Sequence, residues 1–537
     1  MARKAMRCGA GPGTASPRPC AVARSDAAPA RASDPQPHTG HAVVNTLKAR
    51  NRRKAPSSGP GPGRTAASDT AETVKLGLPE IGLVSIFREL SIALREVIAG
   101  GDERKRTQRA ALFAFSIRVV SAAIAYASQV VLARWMGSFE YGAFVFVWVW
   151  VLVLGGVSNL GLSIGTMRFV SEYREQEDTP RLRGVLLASR LVTFAMATLV
   201  AGAGFGVLHF FGDGIAPHYL LPGLLVMCCL PMHTLIDVQD GIARGMQWIG
   251  TALIPPYVLR PLVILLTMII AHEIGLPMRA TTAAGCAIFA TWLAGGIQLL
   301  LLQRKLSQVA GRGPRAYEFA AWLGTSLPIL MILAFDLVVQ NTDVLVLSHY
   351  MSPRDVGVYY AGVKTIGLIA FVHFAVASAV ANQFAKLNTR GDRDGLHKLV
   401  GDAVRWTFWP SLAAAVALLA LGRPMLWLFG PEFTAGYAPM FVLAIGLIVK
   451  ASVGPAEFLL NMLGEQMRSA AVLVFTAILN IVLNFMLIPR YGLIGAAAAT
   501  SLSLISSAVL YRAVARRRLG IEVSYFVRLL RRKPAAA

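Results

Sequence analysis

The sequence predicts an all-α polytopic membrane protein, in which twelve transmembrane helices form two parallel six-helix repeats around a central cavity. Of its 537 residues, 55% are hydrophobic and only 15% are charged, whereas a soluble domain carries about 25% charged residues. From residue 111 onward, apolar runs of about twenty residues recur, and each can cross a hydrocarbon core of about 30 Å. A short phrase near residue 132 also returns near residue 347, which indicates an internal duplication.

The chain before residue 111 is predicted to lie outside the membrane. Residues 1–75 are rich in Ala, Pro, Gly, Ser and Arg, so they bury too little apolar surface to fold, and we expect a disordered cytoplasmic tail. Residues 76–110 contain an amphipathic helix, expected on the cytoplasmic membrane surface, although a helix docked on protein fits equally well. Its apolar positions share one face: Leu83, Phe87, Leu90, Leu94 and Ile98.

The twelve apolar spans follow in two sets of six. The predicted spans are 111–134, 141–164, 184–206, 219–238, 250–272, 280–302, 318–340, 356–380, 406–422, 435–458, 468–489 and 493–513. They give an N-terminal lobe, an inter-lobe linker, a C-terminal lobe and a basic tail, at 111–302, 303–317, 318–513 and 514–537. Loops rich in Lys and Arg, such as 165–183, alternate with poor loops, such as 207–218. This alternation predicts that both termini and the linker are cytoplasmic.

Composition also narrows the class of function. The formal net charge is +23, but 19 of the 52 Lys and Arg residues precede residue 111 and eight follow residue 511. This distribution favours topology signals and contacts with anionic membrane lipids over nucleic-acid binding. The cysteines lack metal or redox spacing, and we expect no cofactor apart from H⁺ or Na⁺ as a coupling ion. The predicted extracytoplasmic loops leave no room for a soluble catalytic domain, so we expect a transporter and not an enzyme.

The repeated phrase relates the two sets of spans. "LARWMGSFEYGAF" (132–144) joins spans 1 and 2, "LSHYMSPRDVGVYY" (347–360) joins spans 7 and 8, and Leu, Met and Gly coincide at an offset of 215. "ARGMQ" (243–247) and "MLGEQ" (462–466) repeat at nearly the same offset. Six spans separate the copies, so both have the same orientation, as in transporters with parallel repeats around a midplane site. In the first hairpin, Gly142 is expected to let the second helix start close by.

These phrases resemble the polysaccharide-transporter branch of the multidrug/oligosaccharidyl-lipid/polysaccharide (MOP) superfamily. "VLRPLVILL" (258–266) is similar to the fifth span of that family, and "NIVLNFMLIPRYGLIGAAAATSLS" (480–503) to its phrase near spans 11 and 12. The resemblance covers about 111–515. It implies a MATE-like fold with V-shaped lobes and a flippase for undecaprenyl-pyrophosphate-linked oligosaccharides in the bacterial inner membrane. Such a flippase would serve exopolysaccharide, capsule or O-antigen (lipopolysaccharide) synthesis, with a polysaccharide polymerase and other export machinery as partners.

Basic residues within the predicted spans are the candidate substrate-binding groups. A charge at bilayer depth costs at least about 2.5 kcal/mol on insertion scales, so each is a functional candidate. Arginine and lysine bind phosphate oxygens, and we expect them to make the cavity between the lobes cationic. The candidates are Arg118, Arg260, Lys364, Lys450 and Arg190.

Each candidate also has a structural interpretation. Arg118 or Arg260 can pair with a carboxylate such as Asp336, Lys450 can pair with Glu457 two turns away, and Arg190 can extend to the cytoplasmic face. Asp336 is itself interpreted in two ways, as a proton- or sodium-coupling site or as a fixed counter-ion to an arginine.

Three other functions compete with polysaccharide export. A peptidoglycan lipid-precursor flippase also binds a lipid pyrophosphate, although it usually carries two further spans. A MATE-type drug or cation antiporter needs carboxylates in its cavity, whereas bases outnumber acids at depth here. A membrane-embedded polysaccharide polymerase needs acidic or histidine groups on a sizeable extracytoplasmic loop, which the sequence does not predict.

Overall fold

The computed structural model describes residues 103–527, with side chains from residue 116 onward, so the predictions made for residues 1–102 lie outside the described residues. This part of the chain is helical and contains no strand. The α-helices are α1 (Glu103–Ser158), α2 (Leu162–Glu175), α3 (Thr179–Phe210), α4 (Pro217–Met227), α5 (Leu230–Gly245), α6 (Ile249–Ile254), α7 (Arg260–Glu273), α8 (Ala280–Val309), α9 (Phe319–Tyr350), α10 (Pro353–Ile366), α11 (Ala370–Thr389), α12 (Arg393–Ala420), α13 (Gly422–Phe429), α14 (Tyr437–Ala451), α15 (Ala456–Met462) and α16 (Gln466–Val514).

Two of these helices, α1 and α16, fold back on themselves at a glycine. Gly137 has φ +74° and Gly492 has φ +54°, a region that glycine adopts without a steric penalty. The Tyr141 hydroxyl donates a hydrogen bond of 2.7 Å to Gln129 Oε1, although twelve residues span about 18 Å along a straight helix. Gly495 likewise lies against the backbone of Leu487. Each of the two helices therefore supplies two antiparallel arms.

Twelve spans result when each arm is counted. Within residues 116–527, nine helical stretches are long and apolar enough to cross a membrane, and α4 with α5 forms a tenth across a 48° bend. The arms of α1 are spans 1 and 2, α3 is span 3, α4–α5 span 4, α6–α7 span 5, α8 span 6, α9 span 7, α10–α11 span 8, α12 span 9, α14–α15 span 10, and the arms of α16 are spans 11 and 12.

The bundle has two ends. We call the end where span 1 begins and span 12 ends the terminal face, and the opposite end the hairpin face. The predicted class, a polytopic all-α membrane protein, is confirmed.

The two copies of the repeated phrase pack against each other at the hairpin face. Gly142 lies directly against the backbone of Pro353, and Gly357 lies directly against the backbone of Ser138. Both pairings join one copy to the other, and residues 138 and 353, like 142 and 357, are related by the offset of 215. The contact is thus reciprocal, as expected for two repeats related by an axis along the membrane normal. Gly137 makes the turn of the first hairpin, and Gly142, which was expected to let the second helix start close by, lies where the second copy of the phrase approaches.

Buried apolar residues form a shared core at the hairpin face and separate cores toward the terminal face. The shared core combines Leu132 and Tyr141 of the first repeat with Tyr359, Phe429 and Phe433 of the second. A second core combines Ile117 of span 1 with α2, spans 3–6 and the start of span 7, with Trp322 from the latter. A third core lies within spans 8–12 and the segment after span 12. The lobes therefore share a core at the hairpin face, whereas toward the terminal face the start of span 7 packs in the core of the first repeat and spans 8–12 pack among themselves.

The linker between the lobes is shorter than predicted. Span 6 continues as helix to Val309, so the predicted linker at 303–317 begins inside it. Beyond the helix, Ala316 N–H donates a hydrogen bond of 3.0 Å to the Pro180 carbonyl. Glu318, just before span 7, forms an ion pair with Arg181, in which Oε1 of Glu318 lies 2.8 Å from Nε of Arg181. These contacts fix the linker to the terminal end of span 3.

Span 5 has an irregular turn next to one of the candidate arginines. Residues Pro255–Leu259 form a π-helical turn, which closes when Arg260 N–H donates to the Pro255 carbonyl. Prolines 255, 256 and 261 lack the N–H groups that a regular α-helix would use here. Such turns are frequent at functional sites because they change the direction in which the following side chain points.

Candidate functional site

A cavity of about 340 Å³ lies between the lobes, within the size range of ligand sites. Its walls come from spans 1, 2 and 5 of the first repeat and from span 8 of the second. Its polar and aromatic lining includes Arg118, Gln129, Trp148, Tyr257, Arg260, Tyr360 and Phe371. Two of the five predicted bases, Arg118 and Arg260, are thus brought to one cavity from different spans.

Arg118 is held by aromatic rings. Its guanidinium carbon lies 4.5 Å from the centre of the Phe374 ring and 5.5 Å from that of Tyr257. These cation–π contacts orient the guanidinium without using its N–H donors. Among the residues that the structure describes, no carboxylate forms a salt bridge with Arg118. Its donors are thus available to an anionic ligand.

Arg260 has three kinds of neighbours. Its guanidinium carbon lies 5.6 Å from the centre of the Trp148 ring, and Nη1 lies 3.4 Å from His233 Nδ1. Asp237 of span 4 interacts with it electrostatically, although no salt bridge joins them within 4 Å in the described chain. The guanidinium is therefore oriented by an aromatic ring and an imidazole, while its charge is balanced from a distance.

A layer of polar groups lies behind these arginines on span 4. Asp240 and Arg244 form a salt bridge of 2.7 Å, Tyr257 hydrogen-bonds to Arg244, and Asp240 interacts electrostatically with Arg118. Sequence reasoning missed Asp240, Arg244 and His233. Their spacing could have revealed them, since positions 233, 237, 240 and 244 are separated by 4, 3 and 4 residues and share one helical face.

The other three predicted bases do not line this cavity. Lys364 is exposed and is not part of the lining; its Nζ lies 4.7 Å from the centre of the ring of Tyr360, which does line the cavity. Lys450 lies in the second repeat among Asp336, His373 and Glu457, with which it interacts electrostatically. Arg190 donates a hydrogen bond of 3.2 Å to Gln303, between spans 3 and 6.

Asp336 belongs to the cluster around Lys450. It accepts a hydrogen bond of 2.6 Å from Gln340 Nε2 and interacts electrostatically with Lys450. The suggested pairing of Asp336 with Arg118 or Arg260 was therefore wrong, because sequence alone does not fix how each helix is rotated toward its neighbours. The pairing of Lys450 with Glu457 is present as an electrostatic contact.

The cavity is closed toward the hairpin face by contacts between the lobes. The Tyr126 hydroxyl lies 3.0 Å from Thr365 Oγ1, and its ring packs edge-on against Phe429 at 5.5 Å. At the surface, Glu432 accepts a hydrogen bond of 2.6 Å from the backbone N–H of Ser138. Arg134 donates a hydrogen bond of 3.0 Å to the Trp427 carbonyl. A ligand entering from the hairpin face would therefore have to break these contacts.

Comparison with known proteins assigns the family. The sequence model described as polysaccharide biosynthesis protein matches residues 109–382, just over half of the chain. The chain belongs to this family. A second model, MatE, matches residues 328–486, so the two family models together match sequence in both repeats. The resemblance predicted from the repeated phrase, to the polysaccharide-transporter branch of that superfamily, is confirmed.

Solved structures of this superfamily have the same fold as this family member. An inward-facing multidrug resistance MATE family transporter has a TM-score of 0.61 and 14% identity, and the match covers 76% of this chain and 94% of that one. The lipid II flippase MurJ, in an inward closed conformation, has a TM-score of 0.60 and 16% identity, and the match covers 75% of this chain and 87% of that one.

A curated relative matches over a shorter stretch. The probable low-salt glycan biosynthesis flippase Agl15 of Haloferax volcanii is 24% identical over 170 residues. That match spans 32% of this chain and 36% of the length of the relative.

Proposed function

We propose that this protein is a flippase that moves an oligosaccharide linked to undecaprenyl pyrophosphate across the bacterial inner membrane. The observation that carries the proposal is the pair Arg118 and Arg260, which face one cavity with their N–H donors free of salt bridges in the described residues. A pyrophosphate has oxygens on two phosphorus centres, and each guanidinium fork can bind the oxygens of one. Family membership and the glycan flippase relative support the same substrate class.

The aromatic lining suits the rest of the ligand. Trp148, Tyr257 and Tyr360 present apolar faces beside polar edges, which is the kind of surface against which a sugar ring packs. The cavity is much smaller than a long isoprenyl chain, so we propose that the lipid tail stays in the bilayer while the pyrophosphate and the sugars enter. Transport then needs no covalent chemistry, only alternation between access from the terminal face and access from the hairpin face.

The remaining predicted residues are proposed in supporting roles. Lys364, Lys450 and Arg190 raise the positive potential near the path and so attract the anionic head group. Asp336, beside Lys450, is proposed as the site of H⁺ or Na⁺ coupling. Both termini are proposed to be cytoplasmic, so that the terminal face takes up substrate where it is made and the hairpin face releases it to a polysaccharide polymerase and other export machinery for exopolysaccharide, capsule or O-antigen.

A complementation experiment tests the proposal. Arg118→Ala and Arg260→Ala should each lower surface polysaccharide on the order of 10- to 100-fold, because a hydrogen bond to a charged group contributes about 1.5–3 kcal/mol. Arg118→Lys and Arg260→Lys should be intermediate, since lysine keeps the charge but not the fork. Polysaccharide is measured on cells with equal amounts of membrane-inserted protein.

Arg168→Ala is the matched control, because Arg168 is an exposed arginine in α2, after span 2, and does not line the cavity. Normal polysaccharide from both alanine variants at the cavity would contradict the proposal. Cell lysis with normal surface polysaccharide would instead indicate a peptidoglycan-precursor flippase.

A further inference from the structure

A second cavity lies on the other side of span 2 from the cavity of Arg118 and Arg260, which we call the arginine cavity. Its volume is about 680 Å³, against about 340 Å³ for the arginine cavity. Its walls come from spans 2, 3 and 4 of the first repeat and from the end of span 7 of the second. On span 2, Trp148 lines the arginine cavity, whereas Trp150 lines the second one, which we call the lateral cavity.

The lateral cavity is elongated along the bundle and begins at the hairpin face. His349, at the end of span 7, and Ala216, just before span 4, line it at that face. Along span 2 its lining runs from Phe146 to Leu154, which is about 12 Å of helix. On span 4 the lining runs over a similar length. Such a long, narrow shape suits an extended chain better than a compact solute.

The lateral cavity opens on the outer surface of the bundle between spans 2 and 3. Trp150 and Val207 belong to its lining and are 39% and 54% exposed. Gly204 of span 3 and Gly223 of span 4 also line it and leave room because they carry no side chain. Exposed apolar surface on a membrane span faces the hydrocarbon chains of the bilayer. The molecules that reach this opening are therefore lipids.

The lining also decides which part of a lipid can enter. Among the described residues, no lysine, arginine or carboxylate lines the lateral cavity. A phosphate placed there would lose its hydration without gaining a counter-charge, which is unfavourable. Ser348 and His349 are polar and lie at the hairpin end of the lining. The cavity therefore suits an apolar chain whose polar end stays at the hairpin face.

The contacts below the cavity exclude the polyprenyl tail of the proposed substrate while its head group is bound in the arginine cavity. Span 2 separates the two cavities, and toward the terminal face it lies directly against span 7. Leu337 occupies the space that a side chain at Gly156 would need, and the backbone of Ser326 lies directly against Gly161. A tail attached to a head group in the arginine cavity therefore has no route between spans 2 and 7.

We infer that the lateral cavity binds one acyl chain of a membrane phospholipid, inserted from the leaflet at the hairpin face. The ester end of the chain lies beside Ser348 and His349, and the chain extends along span 2 toward Leu154. Because the walls come from both repeats, the bound chain packs against both lobes and gains close van der Waals contacts with each. The inference does not depend on which substrate the arginine cavity takes.

Photolabelling of the purified full-length protein in proteoliposomes tests this site. The probe is a phosphatidylcholine with a diazirine on its acyl chain, present as a small fraction of phosphatidylcholine vesicles. After illumination and proteolysis, mass spectrometry locates the adducts. Wild type should carry adducts on Tyr219 and Met227, which line the cavity but are only 9% and 6% exposed. Lipid that merely surrounds the bundle does not reach these side chains.

Two variants fill the cavity from different elements. Val207→Trp and Ala216→Trp each place an indole at an exposed position of the lining, so folding should be preserved and labelling of Tyr219 and Met227 should be lost. Leu199→Trp is the matched control, because Leu199 is an exposed residue of span 3 that does not line the cavity. This control should be labelled as wild type is.

Adducts confined to exposed residues in wild type, or full labelling of Tyr219 and Met227 in both cavity-filling variants, would overturn the inference. Replacing part of the unlabelled phosphatidylcholine by undecaprenyl phosphate should leave the labelling unchanged. Displacement of the probe by undecaprenyl phosphate would instead show that the cavity takes a polyprenyl chain, and would also overturn it. None of these outcomes measures translocation, so each leaves the flippase proposal to its own test.

Discussion

Arg118 and Arg260 illustrate what a single sequence reveals about a site in a membrane. Both could be predicted as candidate site residues because a charged side chain at bilayer depth is costly and therefore stands out. That they share one cavity could not be predicted, since this depends on how spans 1 and 5 are rotated and on the π-helical turn before Arg260. For the same reason, the sequence offers Asp336 as a candidate partner, whereas Asp237 is the carboxylate that interacts electrostatically with Arg260.

The ring of Trp148 should contribute to anion binding through Arg260. It lies 5.6 Å from the guanidinium and stacks against His233 at 6.0 Å, so it holds both groups. Trp148→Leu should weaken binding of P1,P2-dimethyl pyrophosphate, measured by calorimetry on the purified protein, by about 3- to 30-fold, because a cation–π contact is worth about 0.5–2 kcal/mol. Trp148→Phe should lose less, and equal affinity of the leucine variant and wild type would show that the ring does not position Arg260.

At the scale of elements, the hairpin copies show how the repeat works. The sequence repeat correctly predicted the places of the two hairpins, because matching residues recur at one offset. It did not predict that Gly137 makes the turn while Gly142 faces the other copy, since both glycines fit a hairpin sequence. Only the packing of the lobes distinguishes them: the backbone of Pro353 occupies the space that a side chain at position 142 would need.

Gly142→Ala should therefore destabilise the protein. The added methyl group meets backbone, which cannot move aside as a side chain can, and such overpacking costs about 1–3 kcal/mol. Gly202→Ala is the matched control, because Gly202 is an exposed glycine inside span 3 with nothing within 4 Å of the added atom. The control should be unchanged or slightly more stable. Thermal unfolding in detergent measures both, and equal stability of the two variants would show that the lobes do not meet closely at Gly142.

At the scale of the whole molecule, the distribution of cores bears on the proposed alternation of access. The shared core at the hairpin face holds the lobes together there, while toward the terminal face spans 8–12 have a core of their own and the start of span 7 packs in the core of the first repeat. Opening the hairpin face requires the contacts of Glu432 with Ser138 and of Arg134 with Trp427 to break. The fold class and the order of the spans can be predicted from the lengths of the apolar runs and the charges of the loops. Closure of the hairpin face cannot, because it depends on how the lobes pack against each other.

Translocation by purified protein tests the central claim most directly. Proteoliposomes would carry a fluorescent oligosaccharide on undecaprenyl pyrophosphate, and a membrane-impermeant reductant would report how fast the protected inner-leaflet pool becomes accessible. Wild type and Arg168→Ala should expose that pool, whereas Arg118→Ala and Arg260→Ala should leave it protected, as in vesicles without protein. Exposure by both cavity variants at the wild-type rate, or none by wild type, would contradict the account.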